Sequence, residues 1–407
     1  MSIFLQLAFL IAVILLAAKT AGYLSVRLGQ PSVLGELLVG ILLGPSLLDL
    51  LHLPFIEGGK LGETIKELGE LGVLLLMFIA GLELHLDELT RNTKVSALAG
   101  IMGVLTPVAL GTGTGLLFGL ELDPALFLGL TLGATSVSIS AQTLMELRVL
   151  RTRVGLGLLG AAVFDDVMII LLLSIFLAVI AGGTSAVGIL WILVKMILFL
   201  AVSTAFGLYV LPKLVRVTRR LPISQGVLSL AMVILLFYGL AAEVVGGMAA
   251  ITGSFLAGLM FARCDEKERL EQGVSALAYG LLVPIFFVSI GLEVNVRDLE
   301  GEALLLTAVI ILVAIASKLF GSGLGARWAG FTWRESWQMG AGMVSRGEVG
   351  LIVANVGIGV GLVSSSQFSA IVGMVLATTI VTPPMLRALF TEPKKKLEVP
   401  AEEGKEA

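Results

Sequence analysis

Residues 154–180 read VGLGLLGAAVFDDVMIILLLSIFLAVI, a run of apolar and small residues broken by two adjacent carboxylates, Asp165 and Asp166. A helix over this stretch is about 40 Å long, enough to cross a hydrocarbon core of about 30 Å. It holds the two acids roughly 18 Å from its start, close to the midplane. One carboxylate at that depth costs about 2.5–3.5 kcal/mol even on the lenient insertion scale. Two side by side also repel, so a structural role alone explains them poorly. The stretch reads as a membrane span that carries a site.

Runs of this kind recur along all 407 residues. The chain is 57% hydrophobic and 14% charged, against about 25% charged for soluble domains, and its mean hydropathy is +1.03. Spans are expected near 3–18, 30–49, 69–85, 95–119, 124–146, 154–180, 186–212, 223–242, 247–263, 276–293, 302–326, 335–358 and 366–386. Backbone groups in lipid must be bonded internally, so these are helices, and the fold class is an all-α polytopic membrane protein with thirteen transmembrane helices. The Lys and Arg residues test that count. Lys60, Lys66 and Arg297 fall in one alternating set of loops, Lys195, Lys318 and Arg346 inside spans, and all the others in the opposite set. By the positive-inside rule the N-terminus lies outside and the C-terminus in the cytoplasm of a cell (inner) membrane. The first run lacks a basic n-region and a cleavage site, and reads as a retained helix. The single cysteine, Cys264, excludes an internal disulfide.

An internal repeat shows next. The third span ends Met77-Phe-Ile-Ala-Gly81-Leu-Glu83 and the tenth ends Phe287-Val-Ser-Ile-Gly291-Leu-Glu293, in register at an offset of 210. At 209, Gly133 and Ser136 of the fifth span meet Gly342 and Ser345 of the twelfth, and Gly35/Gly40 of the second share their spacing with Gly253/Gly258 of the ninth. The paired spans run in opposite directions. Two inverted six-helix units, spans 1–6 and 8–13, with the seventh as linker, account for this and are a common plan among secondary transporters.

The fifth and twelfth spans are also interrupted. One contains Gly133-Ala-Thr135-Ser136-Val-Ser138-Ile-Ser140-Ala-Gln142-Thr143, the other Gly340-Ala-Gly342-Met-Val-Ser345-Arg346-Gly-Glu348. Unwound helices occur in membranes only where they are buried or line a cavity, and paired interruptions in two halves point to a transport site. Lys318, roughly 12 Å from the end of the eleventh span, is the natural counter-ion for one aspartate; snorkelling to the interface is the bland alternative. Arg346 stays protonated and cannot carry the proton, and with Glu348 it reads as an ion pair satisfying unwound backbone. Glu36 reads as a local cap or packing group, Lys195 as a linker-helix charge, and His52 and His85 as loop residues.

At these residues the chain resembles the second branch of the monovalent cation/proton antiporters, and within it the NapA-type sodium/proton antiporters (the NhaA/NapA-like fold). The resemblance rests on Leu34-Gly-Glu36 with Gly44-Pro45, Phe78-Ile-Ala-Gly-Leu-Glu83, Ala134-Thr-Ser136, Ala161-Ala-Val-Phe-Asp165-Asp166, Ser317-Lys318 and Arg346-Gly-Glu-Val-Gly350. It implies a homodimer with an elevator mechanism. The scaffold would comprise residues 1–93 and 222–300, the moving core 94–180 and 301–390, the linker 181–221 and a disordered tail 391–407. It implies that Asp166 is the principal sodium ligand and Asp165 the partner of Lys318, with Thr135 and Ser136 contributing at the crossover. Possible further contributors there are Arg346 and Glu348. Potassium-efflux relatives carry a nucleotide-binding domain and Gln-Asp at the site; this chain has neither, and no cytoplasmic regulatory domain is expected. Membrane lipids are the expected surroundings, nucleic acid is not an expected partner, and no cofactor is implied beyond the transported ions, Na⁺ or Li⁺ and H⁺.

The function expected is therefore electrogenic sodium (or lithium)/proton antiport by competition at Asp165, Asp166 and Lys318, with potassium/proton antiport as the alternative. A sodium-coupled organic-anion symporter would need Arg346 as its cationic anchor. A passive channel leaves the titratable triad without a role. No nucleophile–base set or metal-ligand spacing suggests an enzyme.

Overall fold

The computed structural model describes residues 2–56, 58–82, 92–180, 186–292, 302–346, 350, 353–354, 357 and 361–390. Among them all regular secondary structure is helical. α1 (Ile3–Arg27) opens at Ser2, whose hydroxyl accepts from the Leu5 N–H. α2 (Ser32–Leu43) stops at Gly44, which the following Pro45 holds extended. α3 (Gly58–Leu82), α4 (Thr93–Leu117), α5 (Leu122–Gly133), α6 (Val137–Glu146) and α7 (Arg153–Ile180) complete the first half. α8 (Ala186–Tyr209) and a short basic helix, α9 (Leu211–Arg220), join it to the second. There follow α10 (Gly226–Ala241), α11 (Ala250–Phe261), α12 (Lys267–Leu277), α13 (Val283–Leu292), α14 (Glu302–Trp328), α15 (Trp333–Gly342) and α16 (Ser365–Phe390).

Among the described residues nine helical segments are long and apolar enough to cross a bilayer, and α2 and α11 are shorter apolar helices. α3 equals the spans in length but carries Lys60, Glu63, Lys66, Glu67 and Glu70 in its first half. Those charges hid its start, expected near residue 69 and found at Gly58. The tenth span likewise begins at Lys267, not near 276, because α12 is amphipathic and continues through a π turn (Ala278–Leu282) into α13. That wide turn sits before Pro284, which has no N–H to give the preceding turn. Of the expected span 335–358 only α15 is a continuous described helix; Glu348, His85 and the tail 391–407 lie outside the described residues. Leu16, Leu117, Leu190, Phe237 and Leu312 stand more than half exposed, the apolar outer surface that a lipid-facing protein needs.

Two groups of helices pack mainly among themselves and meet where α6 touches α2 and α3 and where α16 touches α2. α1, α2, α3, α10, α11 and α13 form one; α4, α5, α6, α7, α14, α15 and α16 form the other. α8 touches α7 on one side and α11 on the other. Within the first group two helix crossings depend on glycine. A Cβ on Gly258 of α11 would lie 2.0 Å from the Phe78 carbonyl oxygen of α3, and one on Gly291 of α13 would lie 2.4 Å from the Gly40 backbone of α2. Small residues at such crossings let backbones touch where lipid supplies no hydrophobic drive.

Candidate functional site

The second group is built around two breaks. α5 ends at Gly133, Ala134 and Ser136 are extended, and α6 resumes at Val137. α15 begins at a capping box, Thr332 with Glu335, and ends at Gly342, with Val344–Arg346 non-helical. Hydroxyls close to a helix compete for its backbone bonds, and here they join the two breaks. Ser136 N–H donates to the Ser345 carbonyl at 2.9 Å. The Ser345 hydroxyl donates to the Ser136 carbonyl at 2.5 Å, and the Ser140 hydroxyl to the Gly342 carbonyl at 2.6 Å.

Arg346 is fully buried and binds backbone. Its guanidinium donates to the carbonyls of Val344 at 2.6 Å, Leu132 at 2.7 Å, Met343 at 3.2 Å and Ala314 at 3.3 Å. Its own carbonyl accepts from the Thr379 hydroxyl. Leu132 lies in the last turn of α5 and Met343 follows α15, so one cation meets the negative ends of both half-helices. Glu348, the expected partner of Arg346, lies outside the described residues. The four carbonyls engage Nη1 and Nη2, while Nε is buried without a hydrogen bond.

On α7 the two aspartates part ways, as neighbours about 100° apart on a helix must. Asp165 turns into the second group. It is 1% exposed, and its Oδ1 accepts from Lys318 Nζ at 2.6 Å, with Lys318 itself 0% exposed. Snorkelling is excluded: the lysine head is paired, not wet. The other carboxylate oxygen, Oδ2, is buried without a hydrogen bond, and so is the Thr135 hydroxyl. Thr135 nonetheless stands close enough to act on the Asp165 charge. Two orphaned hard oxygens side by side suit an alkali cation or a shared proton.

Asp166 turns the other way, towards the first group. Its Oδ2 accepts from the Thr252 hydroxyl of α11 at 3.0 Å. It lines a small cavity between the groups with Met77, Val137, Ala162, Thr252 and Phe255. Thr252 was not anticipated; the signal available was its hydroxyl, beside that of Ser254, in the otherwise apolar twelve-residue helix α11. Of the other charges, His52 lies on the surface, hydrogen-bonded to Asp49 at 2.7 Å, and Lys195 rests over the Trp191 ring. Glu36 is buried but caps nothing: α2 begins without a side-chain cap bond.

The arrangement offers one carboxylate at the surface between two helix groups and, behind it, a carboxylate–ammonium pair. Comparison with known proteins agrees in kind. Residues 11–392 match the family described as "Sodium/hydrogen exchanger, transmembrane". The chain is 44% identical to the probable Na⁺/H⁺ antiporter GerT of Bacillus cereus, over 94% of this chain and 99% of that one. It is 42% identical to the Na⁺/H⁺-K⁺ antiporter GerN of the same organism, over 94% and 96%. It is 34% identical to the high-affinity Na⁺/H⁺ antiporter NhaS3 of a Synechocystis strain, over 95% and 90%. In three dimensions it resembles the sodium proton antiporter MjNhaP1 of Methanocaldococcus jannaschii, with a TM-score of 0.69, 16% identity and coverage of 95% and 97%. These relatives span the wider superfamily and do not single out the NapA type. The chain is a multi-pass membrane transporter, not an enzyme, and it belongs to the transmembrane sodium/hydrogen exchanger family.

Proposed function

We propose that the protein exchanges Na⁺, and Li⁺, for protons by competition at a single alternating site. One observation carries the reading: Asp166 lines the space between the helix groups while Asp165, its neighbour, holds the buried Lys318 at 2.6 Å. A cation entering from the cavity meets Asp166 and competes with its proton. Its charge also weakens the Asp165–Lys318 attraction, so the ammonium releases a proton in turn. Rebinding of protons on the far side expels the cation. Two protons per cation make the cycle electrogenic.

The moving body is the second helix group, residues 94–180 and 301–390, sliding as an elevator against the scaffold of residues 1–93 and 222–300, through the linker 181–221. Thirteen spans in two inverted units support near-equivalent inward and outward states. The repeat is favoured by its glycines: Gly40 meets Gly291 and Gly258 meets the backbone beside Gly81, and with Gly40 aligned on Gly258 and Gly81 on Gly291 the two contacts are counterparts. The protein works as a homodimer in the cell (inner) membrane, N-terminus outside and C-terminus cytoplasmic. Potassium is the second candidate cation, because the similar GerN carries K⁺ in its name.

The test is dequenching of a pH-sensitive dye in proteoliposomes on addition of NaCl, LiCl or KCl, with Asp166→Asn as the control. Sodium-dependent dequenching in the native protein and none in the variant is expected; dequenching that survives in Asp166→Asn discards the site. Exchange unaffected by an imposed membrane potential discards the two-proton cycle.

A further inference from the structure

A larger cavity, of about 400 Å³, opens between the two helix groups towards the face that carries the Lys- and Arg-rich loops. Lys19, Ser32, Glu36 and Tyr279 line it from the first group, Gln142 and Glu146 from the second. Its oxygens are unequally engaged. Glu146 is well engaged: it accepts from Ser32 N–H at 2.6 Å, Ser32 Oγ at 2.5 Å and Gln142 Nε2 at 2.8 Å. Lys19 donates to the Tyr279 carbonyl at 2.7 Å. Glu36, 6% exposed, lies with a carboxylate oxygen close to Gly22 of α1, and among the described residues no hydrogen bond reaches it. Gln142, also 6% exposed, has donated its amide nitrogen and leaves its amide oxygen without a partner.

Two carboxyl groups, Glu36 and Glu146, and a single ammonium, Lys19, line the cavity. A carboxyl group that accepts no hydrogen bond and an amide oxygen left without a donor are hard ligands of the kind alkali cations take. The space suits an ion that keeps most of its water. We propose that this cavity is a second cation site, in which Glu36 and the Gln142 amide oxygen hold a hydrated monovalent cation on the cytoplasmic side before it reaches Asp166. The proposal rests on the antiport reading and assigns Glu36 a role that neither capping nor the exchange site gives it. Because the lining comes from both helix groups, the site exists only while they stand as they do here.

Binding and transport test it separately. In the purified full-length protein, thermal stabilisation by NaCl over choline chloride at equal ionic strength is measured for Asp166→Asn and for Asp166→Asn/Glu36→Gln. The single variant should keep part of the sodium effect and the double variant lose it. In proteoliposomes Glu36→Gln should raise the half-saturating Na⁺ on the cytoplasmic face about fivefold, the scale of one water-screened charge contact. That gap should narrow as ionic strength rises from about 10 mM to about 150 mM. Gln142→Leu should shift the same constant, so the proposal stays testable if Glu36→Gln does not fold. Unchanged half-saturation in both variants, or complete loss of sodium stabilisation in Asp166→Asn alone, overturns it. Exchange surviving in Asp166→Asn would instead sink the antiport site, leaving the binding comparison to judge the second cavity on its own.

Discussion

Ser136 and Ser345 hold each other across the crossing of the two broken helices, the N–H of the first on the carbonyl of the second at 2.9 Å and the hydroxyl of the second on the carbonyl of the first at 2.5 Å. Both are fully buried. The pair replaces bonds that a continuous helix would have made, so the crossing is a joint with its own hydrogen bonding. Ser345→Ala removes the hydroxyl donor and leaves the Ser136 carbonyl short of a partner, a loss of about 1–3 kcal/mol. The detergent-solubilised variant should melt earlier than the native protein, in the presence of sodium or without it. An unshifted melting curve would show that the joint is held by other contacts.

The Asp165–Lys318 pair is expected to be strongly non-additive. Lys318→Ala strands a carboxylate at a site with 1% exposure, at a cost of about 3–5 kcal/mol. Lys318→Ala/Asp165→Asn removes the stranded charge and should recover much of that stability. Thermal unfolding of the four proteins in the cycle gives the coupling. Additive losses would mean that the two side chains do not depend on each other, and the proton release proposed for Lys318 would lose its trigger.

Much of this site was legible because membranes make buried charge conspicuous. Asp165, Asp166 and Lys318 stood out as ionisable residues in apolar runs, and the breaks at Ala134–Ser136 and Val344–Arg346 were announced by hydroxyls and glycines. What escaped was the weaker signal. Thr252 is one of two hydroxyls in an otherwise apolar helix, and its bond to Asp166 shows only once α11 is packed on α3. Glu36 resembled a cap until α2 proved to start four residues before it. The early starts of α3 and α12 were hidden because a charged, amphipathic half-helix carries no hydropathy signal, although it continues the same hydrogen-bonded rod.

The Thr252–Asp166 bond, 3.0 Å long, links the scaffold helix α11 to α7 of the proposed core. A motion of one group against the other must break it, so it stabilises the conformation described here. Thr252→Val removes the donor with little change of shape. A hydrogen bond to a charged acceptor contributes about 1.5–3 kcal/mol, so the population should shift away from this conformation about tenfold or more. Val163 and Phe255 line the cavity beside Asp166 from opposite groups. Cysteines placed at both positions should cross-link more slowly with Thr252→Val than without it, in a Cys264→Ser background. Equal cross-linking rates would place the bond outside the moving interface.

Cys264, in the turn between α11 and α12, is partly buried beside Asp265, and both push its thiol up to about 11. The thiolate is the reactive form. Near neutral pH its thiolate fraction is therefore about a hundredfold below that of an ordinary cysteine. Alkylation of the native protein should be slow at pH 7.5 and rise steadily as the pH approaches 11. Rapid labelling at neutral pH would mean that the turn opens to solvent far more than its packing indicates.

The helix crossings make the sharpest distinction between glycines. A Cβ on Gly258 would lie 2.0 Å from the Phe78 carbonyl oxygen and 3.0 Å from the Leu82 nitrogen, both backbone atoms of α3 that cannot swing aside. Gly258→Ala must therefore push α11 and α3 apart, a strain of about 1–3 kcal/mol for one added carbon in a packed contact. Gly113, near the C-terminal end of α4, has no atom within 4 Å of the same added carbon. Gly113→Ala should be neutral or stabilising by up to about 1 kcal/mol, since alanine is the better helix former. Melting temperatures of the two variants, measured side by side, should move in opposite directions or differ clearly in size. Equal shifts would mean that α3 and α11 do not meet at Gly258, and Thr252 could then no longer be aimed at Asp166 by that crossing.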